Sequence, residues 1–325
     1  MKKRLKTVDL FAGIGGIRLG FEEAGFEVVY ANDFDKYCKK TYDANSGSVK
    51  LTVKDISKKL PMFESSVLSD IKELEYDFLL GGFPCQAFSI AGYREGFNDK
   101  KDRGGLFFEI AKIIKETKPK GFLLENVKNL KGHDNGKTFE IIIDTLKHLG
   151  YFVKTKVLNS KEYGNVPQNR ERIFIVGFKS KKHLDKFKFP EKISLNKKIV
   201  DLLDQNVEDK YYYNDKPLYE KLKDYVKKEN KVYQWRRKYV RENKNGVCPT
   251  LTANMGMGGH NVPIIKDKKG IRKLTPRECA RFQGFPDSFV LPSALADSRL
   301  YKQIGNSVTV PVVRRVAEEI KITLS

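Results

Sequence analysis

The sequence predicts an α/β protein with a mostly parallel sheet covered by helices on both faces, followed by a smaller domain rich in loops and short strands. Three observations carry this expectation. Apolar runs of strand length alternate with stretches whose apolar residues recur every three to four positions, as βαβ units require. Glycines punctuate the junctions between them. After about Pro190 the alternation fades into lysine-rich, irregular sequence.

In chain order, Thr7-Val8-Asp9-Leu10-Phe11 reads as a buried strand and the group Gly13, Gly15, Gly16 as a tight turn. Ile17 to Ala24 is a helix ended by Gly25, and Glu27 to Ala31 a second strand. Phe78-Leu79-Leu80-Gly81-Gly82 and Phe122-Leu123-Leu124 are further strands. Between them Leu106, Phe107, Ile110, Ala111 and Ile114 repeat with helical spacing. Phe139, Ile142, Ile143, Leu146 and Leu149 mark another helix, closed by Gly150, and Arg172 to Phe178 a later strand. The Tyr211-Tyr212-Tyr213 cluster and the loop-rich run from Thr252 to Asn261 belong to the altered region. Near the C-terminus Val312, Val313, Val316, Ala317 and Ile320 form one helix face that needs a core to cover, so this helix is expected to dock back onto the first domain. The expected partition is a first domain over 1–189 completed by 300–325, a second over 190–275, and a connection over 276–299.

Composition narrows the function classes. With 325 residues and 40% hydrophobic content the chain can bury a normal core, which excludes global disorder. No apolar run approaches the roughly 18 residues that span a bilayer, and Asp9 and Arg18 interrupt the stretch that a secretory signal would need after the basic Met1 to Leu5. Cys38, Cys85, Cys248 and Cys279 include no Cys-x-x-Cys pair and the four histidines are scattered, which argues against a disulfide framework or a metal site. A soluble protein of the reducing cytoplasm is expected. The net charge is +21, and residues 179–275 hold 25 Lys plus Arg against 12 Asp plus Glu, so +13 of it falls in this one segment. Such a segment is either a solvated, lysine-rich surface or the partner of a polyanion, from which clustered cations release counterions.

Several residues can carry chemistry. The glycine turn after a strand lets a ligand approach the backbone, and Asp33 at the tip of the next strand can accept hydrogen bonds from ribose hydroxyls. The Gly-x-Gly-Gly spacing departs from the pyrophosphate fingerprint, so a structural turn, a dinucleotide site and another nucleoside site all remain open. Cys85 follows a strand within Gly82-Phe83-Pro84-Cys85-Gln86, at the sheet edge where α/β proteins bind ligands. Cys38 and Cys279, on apparent helix faces, read as inert small hydrophobes. Glu125 ends the strand begun at Phe122, either making local hydrogen bonds or, if burial raises its pKa, holding a proton for delivery. Arg170 and Arg172 suit a phosphate, a polar base edge or a surface charge cluster equally well.

The order of these pieces resembles the DNA (cytosine-5) methyltransferase family, in particular the bacterial type II restriction-modification methyltransferases. The resemblance rests on Asp9-Leu10-Phe11-Ala12-Gly13-Ile14-Gly15-Gly16, Gly82-Phe83-Pro84-Cys85-Gln86-Ala87-Phe88-Ser89, Glu125-Asn126-Val127 and Gln168-Asn169-Arg170-Glu171-Arg172. It continues through the run from Arg272 to Arg281 and through Gln303-Ile304-Gly305-Asn306-Ser307-Val308. It spans roughly residues 6–178 and 271–313, with Ala91 standing where some members have serine.

What the resemblance implies is a Rossmann-like sheet that binds S-adenosyl-L-methionine, giving S-adenosyl-L-homocysteine as product, with no metal. Cys85 would add to carbon 6 of a cytosine flipped out of duplex DNA, Glu125 would protonate the ring as it does so, and Arg172 would contact the ring oxygen. Gln86 and Arg170 would stand with them in the catalytic group. Phe11, Gly13, Gly15, Gly16, Asp33, Asp55, Pro84, Asn306 and Ser307 would hold the cofactor. The basic region falls where the family carries its target-recognition domain; there Arg236, Arg237, Arg241, Thr250 and Thr252, together with Ser89, are candidate DNA contacts. A monomer without an obligate protein partner is expected, paired in function with a restriction endonuclease. A transfer RNA cytosine-5 methyltransferase of the same family is the alternative. An NAD-linked dehydrogenase would leave Cys85 and Glu125 without a role, and a silent DNA-binding module would need neither.

Overall fold

The computed structural model describes residues 4–57, 66–84, 105–236, 238–256 and 261–325. Its contacts divide the chain into two compact units, Met1–Leu158, Glu171–Pro190 and Val313–Ser325 in one, and Asn159–Arg170 and Glu191–Val312 in the other.

The first unit follows the alternation read from the sequence. It runs β1 (Lys6–Leu10), α1 (Gly16–Glu23), β2 (Glu27–Asp33), α2 (Lys36–Asn45), β3 (Thr52–Val53), α3 (Val67–Lys72), β4 (Phe78–Gly82), α4 (Leu106–Thr117), β5 (Gly121–Val127), α5 (Lys137–His148) and β6 (Phe152–Asn159). The short α6 (Ser160–Tyr163) and β7 (Gln168–Asn169) belong to the second unit, after which β8 (Glu171–Phe178) and α7 (Lys181–Lys186) return to the first. The sheet order is β3-β2-β1-β4-β5-β8-β6. β1 pairs in parallel with β2 and with β4, β2 with β3, and β4 with β5, whereas β5 and β8 are antiparallel. The expected mostly parallel sheet is therefore present, with an antiparallel partner on β5.

Strands buried on both faces read as continuous apolar runs, and Phe78-Leu79-Leu80 and Phe122-Leu123-Leu124 are fully buried. Val8, Leu10, Leu79 and Leu124 join Ile110, Ala111 and Ile114 of α4 and Ile142 and Leu146 of α5 in one core. This core holds the carboxyl ends of β1, β2, β4 and β5 side by side, which is where an open α/β sheet binds its ligand.

The second unit carries α8 (Tyr219–Leu222), β9 (Tyr233–Trp235), β10 (Val240–Glu242), β11 (Cys248–Pro249), β12 (Val262–Lys266), β13 (Ile271–Lys273), α9 (Pro276–Arg281) and α10 (Asp297–Asn306). Four strands form an antiparallel sheet in the order β10-β9-β12-β13. One face packs Tyr233, Trp235, Val262, Ile264 and Ile271 against Leu222 and Val226. A last helix, α11 (Val310–Leu324), starts in this unit, and from Val313 on it belongs to the first. There a side chain at Gly20 of α1 would come within 2.9 Å of Val313 and of the Arg314 amide, so glycine is what lets the two helices meet. Lys321 seals the contact by donating to the Ala24 carbonyl at 2.8 Å.

Candidate active site

Beyond β1 the backbone turns through Phe11 and Gly13 with φ of 56° and 55°. A side chain at Gly13 would face open space but would strain this backbone, so the residue leaves a bare, approachable peptide. The Gly13 N–H donates to Oδ2 of Asp33 at 2.9 Å and the Asp35 N–H to Oδ1 at 2.8 Å. The carboxylate has four lone-pair sites, so acceptor capacity is left over for a ligand hydroxyl. Burial raises the Asp33 pKa, and hydrogen bonds from the backbone amides of Asp35, Gly13 and Phe34 oppose that rise. Gly15 caps α1 at φ 86°; a side chain there would meet Arg18 Nε at 2.8 Å.

Beneath the turn, Asp9 is completely buried, and neither carboxylate oxygen has a hydrogen-bond partner among the described residues. Burial pushes its pKa up to about 7, with the Arg18 charge pulling the other way. Arg18 stacks over Tyr42 at 4.8 Å and donates to Glu22 at 2.8 Å.

Two more strand ends complete this edge. Asp55, after β3, accepts from the Ser57 N–H at 3.0 Å and from its hydroxyl at 2.7 Å. Phe34, directly after Asp33, is 67% exposed, an unusual setting for so apolar a ring. Sequence reasoning missed Phe34; the signal was an aromatic residue following the strand-end acid. With half-buried Phe11, just beyond the neighbouring strand β1, it supplies a second aromatic surface at the turn.

On the other side of the switch in strand order lies Glu125, 7% exposed at the end of β5. Its register partners are Gly82 on β4 and Phe174 on β8, while Arg172 pairs with Val127. Glu125 and Arg172 are therefore diagonal neighbours on one face of the antiparallel pair, within reach of long side chains. Nε of Arg172 lies 3.1 Å from Oε1 of Glu125. Burial lowers the Arg172 pKa and the Glu125 charge opposes this, but a guanidinium remains cationic throughout. Asn126, also absent from the sequence-derived candidates, is buried and donates to the Phe83 carbonyl at 2.9 Å. Pro84 is exposed just beyond. Cys85, Gln86 and Ser89 lie outside the described residues, as does Arg237.

The remaining candidates sit in the second unit. Arg170, grouped with the catalytic residues on sequence, is 2% exposed there and donates to the carbonyls of Leu251, Gly305 and Ser307. Its guanidinium thereby braces the backbone on which Ser307 and exposed Asn306 are carried. Thr250 donates to the Asn169 carbonyl at 2.7 Å and Thr252 to the Asn254 side chain at 2.6 Å. Arg241 is exposed on β10, and Arg236 donates to Gln234 at 3.2 Å and Asn261 at 2.9 Å. Cys38, Cys248 and Cys279 are buried thiols; burial pushes the last two well above the ordinary range. No group of three His, Cys, Asp or Glu able to hold a metal ion occurs among the described residues, and no helix there is long and apolar enough to cross a membrane.

Known proteins resemble this chain in sequence and in fold. The family model for C-5 cytosine-specific DNA methylase matches residues 5–322. The chain is 52% identical over 321 residues to the type II methyltransferase M.Bsp6I of Bacillus sp. (strain RFL6), covering 97% of this chain and 98% of that protein. It is 43% identical over 328 residues to M.SsoII of Shigella sonnei, covering 99% of this chain and 81% of that one. Among solved structures, the Entamoeba histolytica methyltransferase EhMeth superposes with a TM-score of 0.74 at 19% identity, covering 100% of both chains. The S. pombe Dnmt2 methyltransferase gives 0.72 at 20% identity, covering 99% of this chain and 98% of that one. These last two speak to the fold alone, but a family match over almost the whole length settles the kinship: the chain belongs to the C-5 cytosine-specific DNA methylases and is a DNA (cytosine-5) methyltransferase.

Proposed function

We propose that this enzyme methylates carbon 5 of a cytosine turned out of duplex DNA, through a transient bond between Cys85 and carbon 6. The observation that carries this reading is the buried Glu125 carboxyl held 3.1 Å from the Arg172 guanidinium, at the sheet edge where Asn126 ties down the segment leading into position 85. Carbon 5 of cytosine is a weak nucleophile. Attack of the Cys85 thiolate on carbon 6 moves the ring's electrons toward nitrogen 3, where a proton held by Glu125 neutralises them and leaves an enamine with a nucleophilic carbon 5. Arg172 orients Glu125 and steadies negative charge on the ring oxygen. After methylation a water molecule takes the carbon 5 proton, the electrons of that bond expel the Cys85 thiolate, and nitrogen 3 returns its proton to Glu125 as the neutral aromatic ring is restored.

S-adenosyl-L-methionine supplies an electrophilic methyl group when bound. The chain fits it: Gly13 offers an uncrowded peptide, Asp33 retains lone pairs for ribose hydroxyls, and Phe11 and Phe34 offer rings for a flat base. Asp55, Gly15, Gly16 and Pro84 complete the proposed set in this unit, and Asn306 and Ser307 are assigned to it from their motif. Duplex DNA is the proposed partner, a restriction endonuclease of the same specificity the functional counterpart, and a monomer in the cytoplasm the working form. A transfer RNA substrate is not favoured, since the family model is that of DNA methylases.

The test is incubation with labelled donor and either duplex DNA or transfer RNA, followed by nucleoside analysis. Label in DNA as 5-methylcytosine is expected, together with a covalent complex on oligonucleotides carrying 5-fluorocytosine that Cys85→Ala does not form. Label in RNA alone overturns the substrate; a fluorocytosine complex undiminished in Cys85→Ala overturns the mechanism.

A further inference from the structure

We propose that Arg236 reads a guanine edge in the DNA recognition sequence and that Gln234 and Asn261 are positioning residues that hold its guanidinium for that task. The inference rests on duplex DNA being the substrate and identifies a specificity element within it.

Arg236 lies just after β9, in the hairpin to β10. The hairpin is closed by the Arg236 N–H donating to the Tyr239 carbonyl at 3.0 Å, next to the Trp235–Val240 register pair. Nη1 of Arg236 donates to Oε1 of Gln234 at 3.2 Å and to Oδ1 of Asn261 at 2.9 Å. Both acceptors are fixed by the sheet. Gln234 is 3% exposed on the inner strand β9, paired with Arg241 on one side and Pro263 on the other. Asn261 donates its own N–H to the Trp235 carbonyl at 2.9 Å from a backbone with φ 60°.

A free surface arginine must give up about 2 kcal/mol of rotamer freedom to bind anything. This one is already oriented. Nε and Nη2 make no hydrogen bond among the described residues, so the side-on edge of the guanidinium presents two parallel N–H donors. That edge matches O6 and N7 of guanine in the major groove, the commonest specific contact that arginine makes. The chemistry of the clamp points the same way. Two neutral amide oxygens hold Arg236 in place, so the clamp itself leaves its positive charge uncompensated. The exposed cations Lys238 and Arg241 flank it in the most basic stretch of the chain.

The experiment starts from the sequence that the full-length protein methylates, found by bisulfite sequencing of a treated plasmid. No methylation of DNA at this stage would refute the substrate reading itself. Steady-state rates are then measured on the cognate duplex and on duplexes in which each guanine in turn is replaced by 7-deazaguanine, which lacks the N7 acceptor. For Arg236→Ala a fall of roughly 10- to 100-fold in kcat/KM on cognate DNA is expected, in line with one bidentate base contact. Affinity for non-cognate duplex should change less than about threefold, as only one cation is lost. One deazaguanine position should slow the parent enzyme and have no further effect on Arg236→Ala. Asn261→Gly, which keeps the positive φ and removes the acceptor, should lose part of that discrimination with an unchanged melting temperature. Equal losses on cognate and non-cognate DNA with a shallower salt dependence would make Arg236 a phosphate contact. Additive losses at every deazaguanine position would also overturn the assignment.

Discussion

The side-chain amide of Asn126 donates to the main-chain oxygen of Phe83 across the ends of β5 and β4, at 2.9 Å and shielded from solvent. Oδ1 of the same side chain accepts from the Val127 N–H at 2.8 Å, so the residue is anchored at both ends. It fixes the backbone two positions before Cys85. Replacing Asn126 with Ala leaves a buried carbonyl without its donor, a loss of about 1–3 kcal/mol. Urea denaturation should show that loss. Turnover should fall at least tenfold, because a nucleophile displaced by a fraction of an ångström reacts more slowly. Unaltered stability together with full turnover would show that the bond does neither.

Glu125 and Arg172 divide the work on the base, and conservative changes separate their roles. Glu125→Gln keeps the size and one acceptor but cannot deliver a carboxylic proton, so turnover should fall by roughly 10²–10⁴. Arg172→Lys keeps the charge but loses the guanidinium geometry that places Nε on Glu125. It should lower kcat less than Glu125→Gln does, with binding of the methyl donor unchanged in both variants by calorimetry. A Glu125→Gln enzyme with near-normal turnover would remove the acid from the mechanism.

Asp9 makes stability depend on pH in a direction opposite to that of a salt-bridged carboxylate. In the folded protein burial lifts its pKa to about 7, whereas in the unfolded chain it releases its proton near 4. Between these values the folded state binds more protons, so the unfolding free energy falls as pH rises from about 4 to about 7 and then levels off. Asn at this position cannot ionise. The advantage of Asp9→Asn over the parent should therefore grow across that interval, by up to ~4 kcal/mol at pH 8. Urea melts at pH 5, 6, 7 and 8 measure it, and parallel curves for the two proteins would contradict the burial argument.

What the sequence made legible follows from how local each signal is. The first βαβ unit is written in residues close together: an apolar run from Thr7, three glycines, a periodic helix and Gly25. The structure reproduces it within a residue or two. The antiparallel direction of β8 carries no comparable mark, because α5, β6 and a stretch of the second unit intervene between β5 and β8. Arg170 and Arg172 illustrate the same limit at the scale of side chains. Two positions apart, they look interchangeable, yet the chain passes from one compact unit to the other between Arg170 and Glu171. One guanidinium is thus used up on the carbonyls of Leu251, Gly305 and Ser307, while the other meets Glu125. Phe34, and the anchoring role of Asn126 within its quoted motif, escaped notice for a related reason. Neither has a periodic pattern around it, and exposure of the one and burial of the other are tertiary facts.

In the second unit, Arg272 and Glu278 are both fully buried and joined by two hydrogen bonds of 2.8 and 2.7 Å. Arg272 also meets Asp267 at 2.6 Å, and Glu278 accepts the N–H of Thr275 at 2.7 Å and of Asp204 at 2.8 Å. Glu278→Ala would leave a buried guanidinium facing a void and two amides without an acceptor. A loss of about 3–5 kcal/mol is expected, enough to remove much of the 5–15 kcal/mol typical of a folded domain. Exchanging both partners for apolar residues of similar volume, as in Arg272→Met with Glu278→Leu, takes away the stranded charge and should recover part of that loss. Recovery should stay incomplete, because Thr275 and Asp204 still lack the carboxylate that capped them, each costing about 1–3 kcal/mol. A double-mutant cycle in urea separates the contributions: full recovery would mean that the caps contribute nothing, and no recovery would mean that the charge pair contributes nothing beyond them.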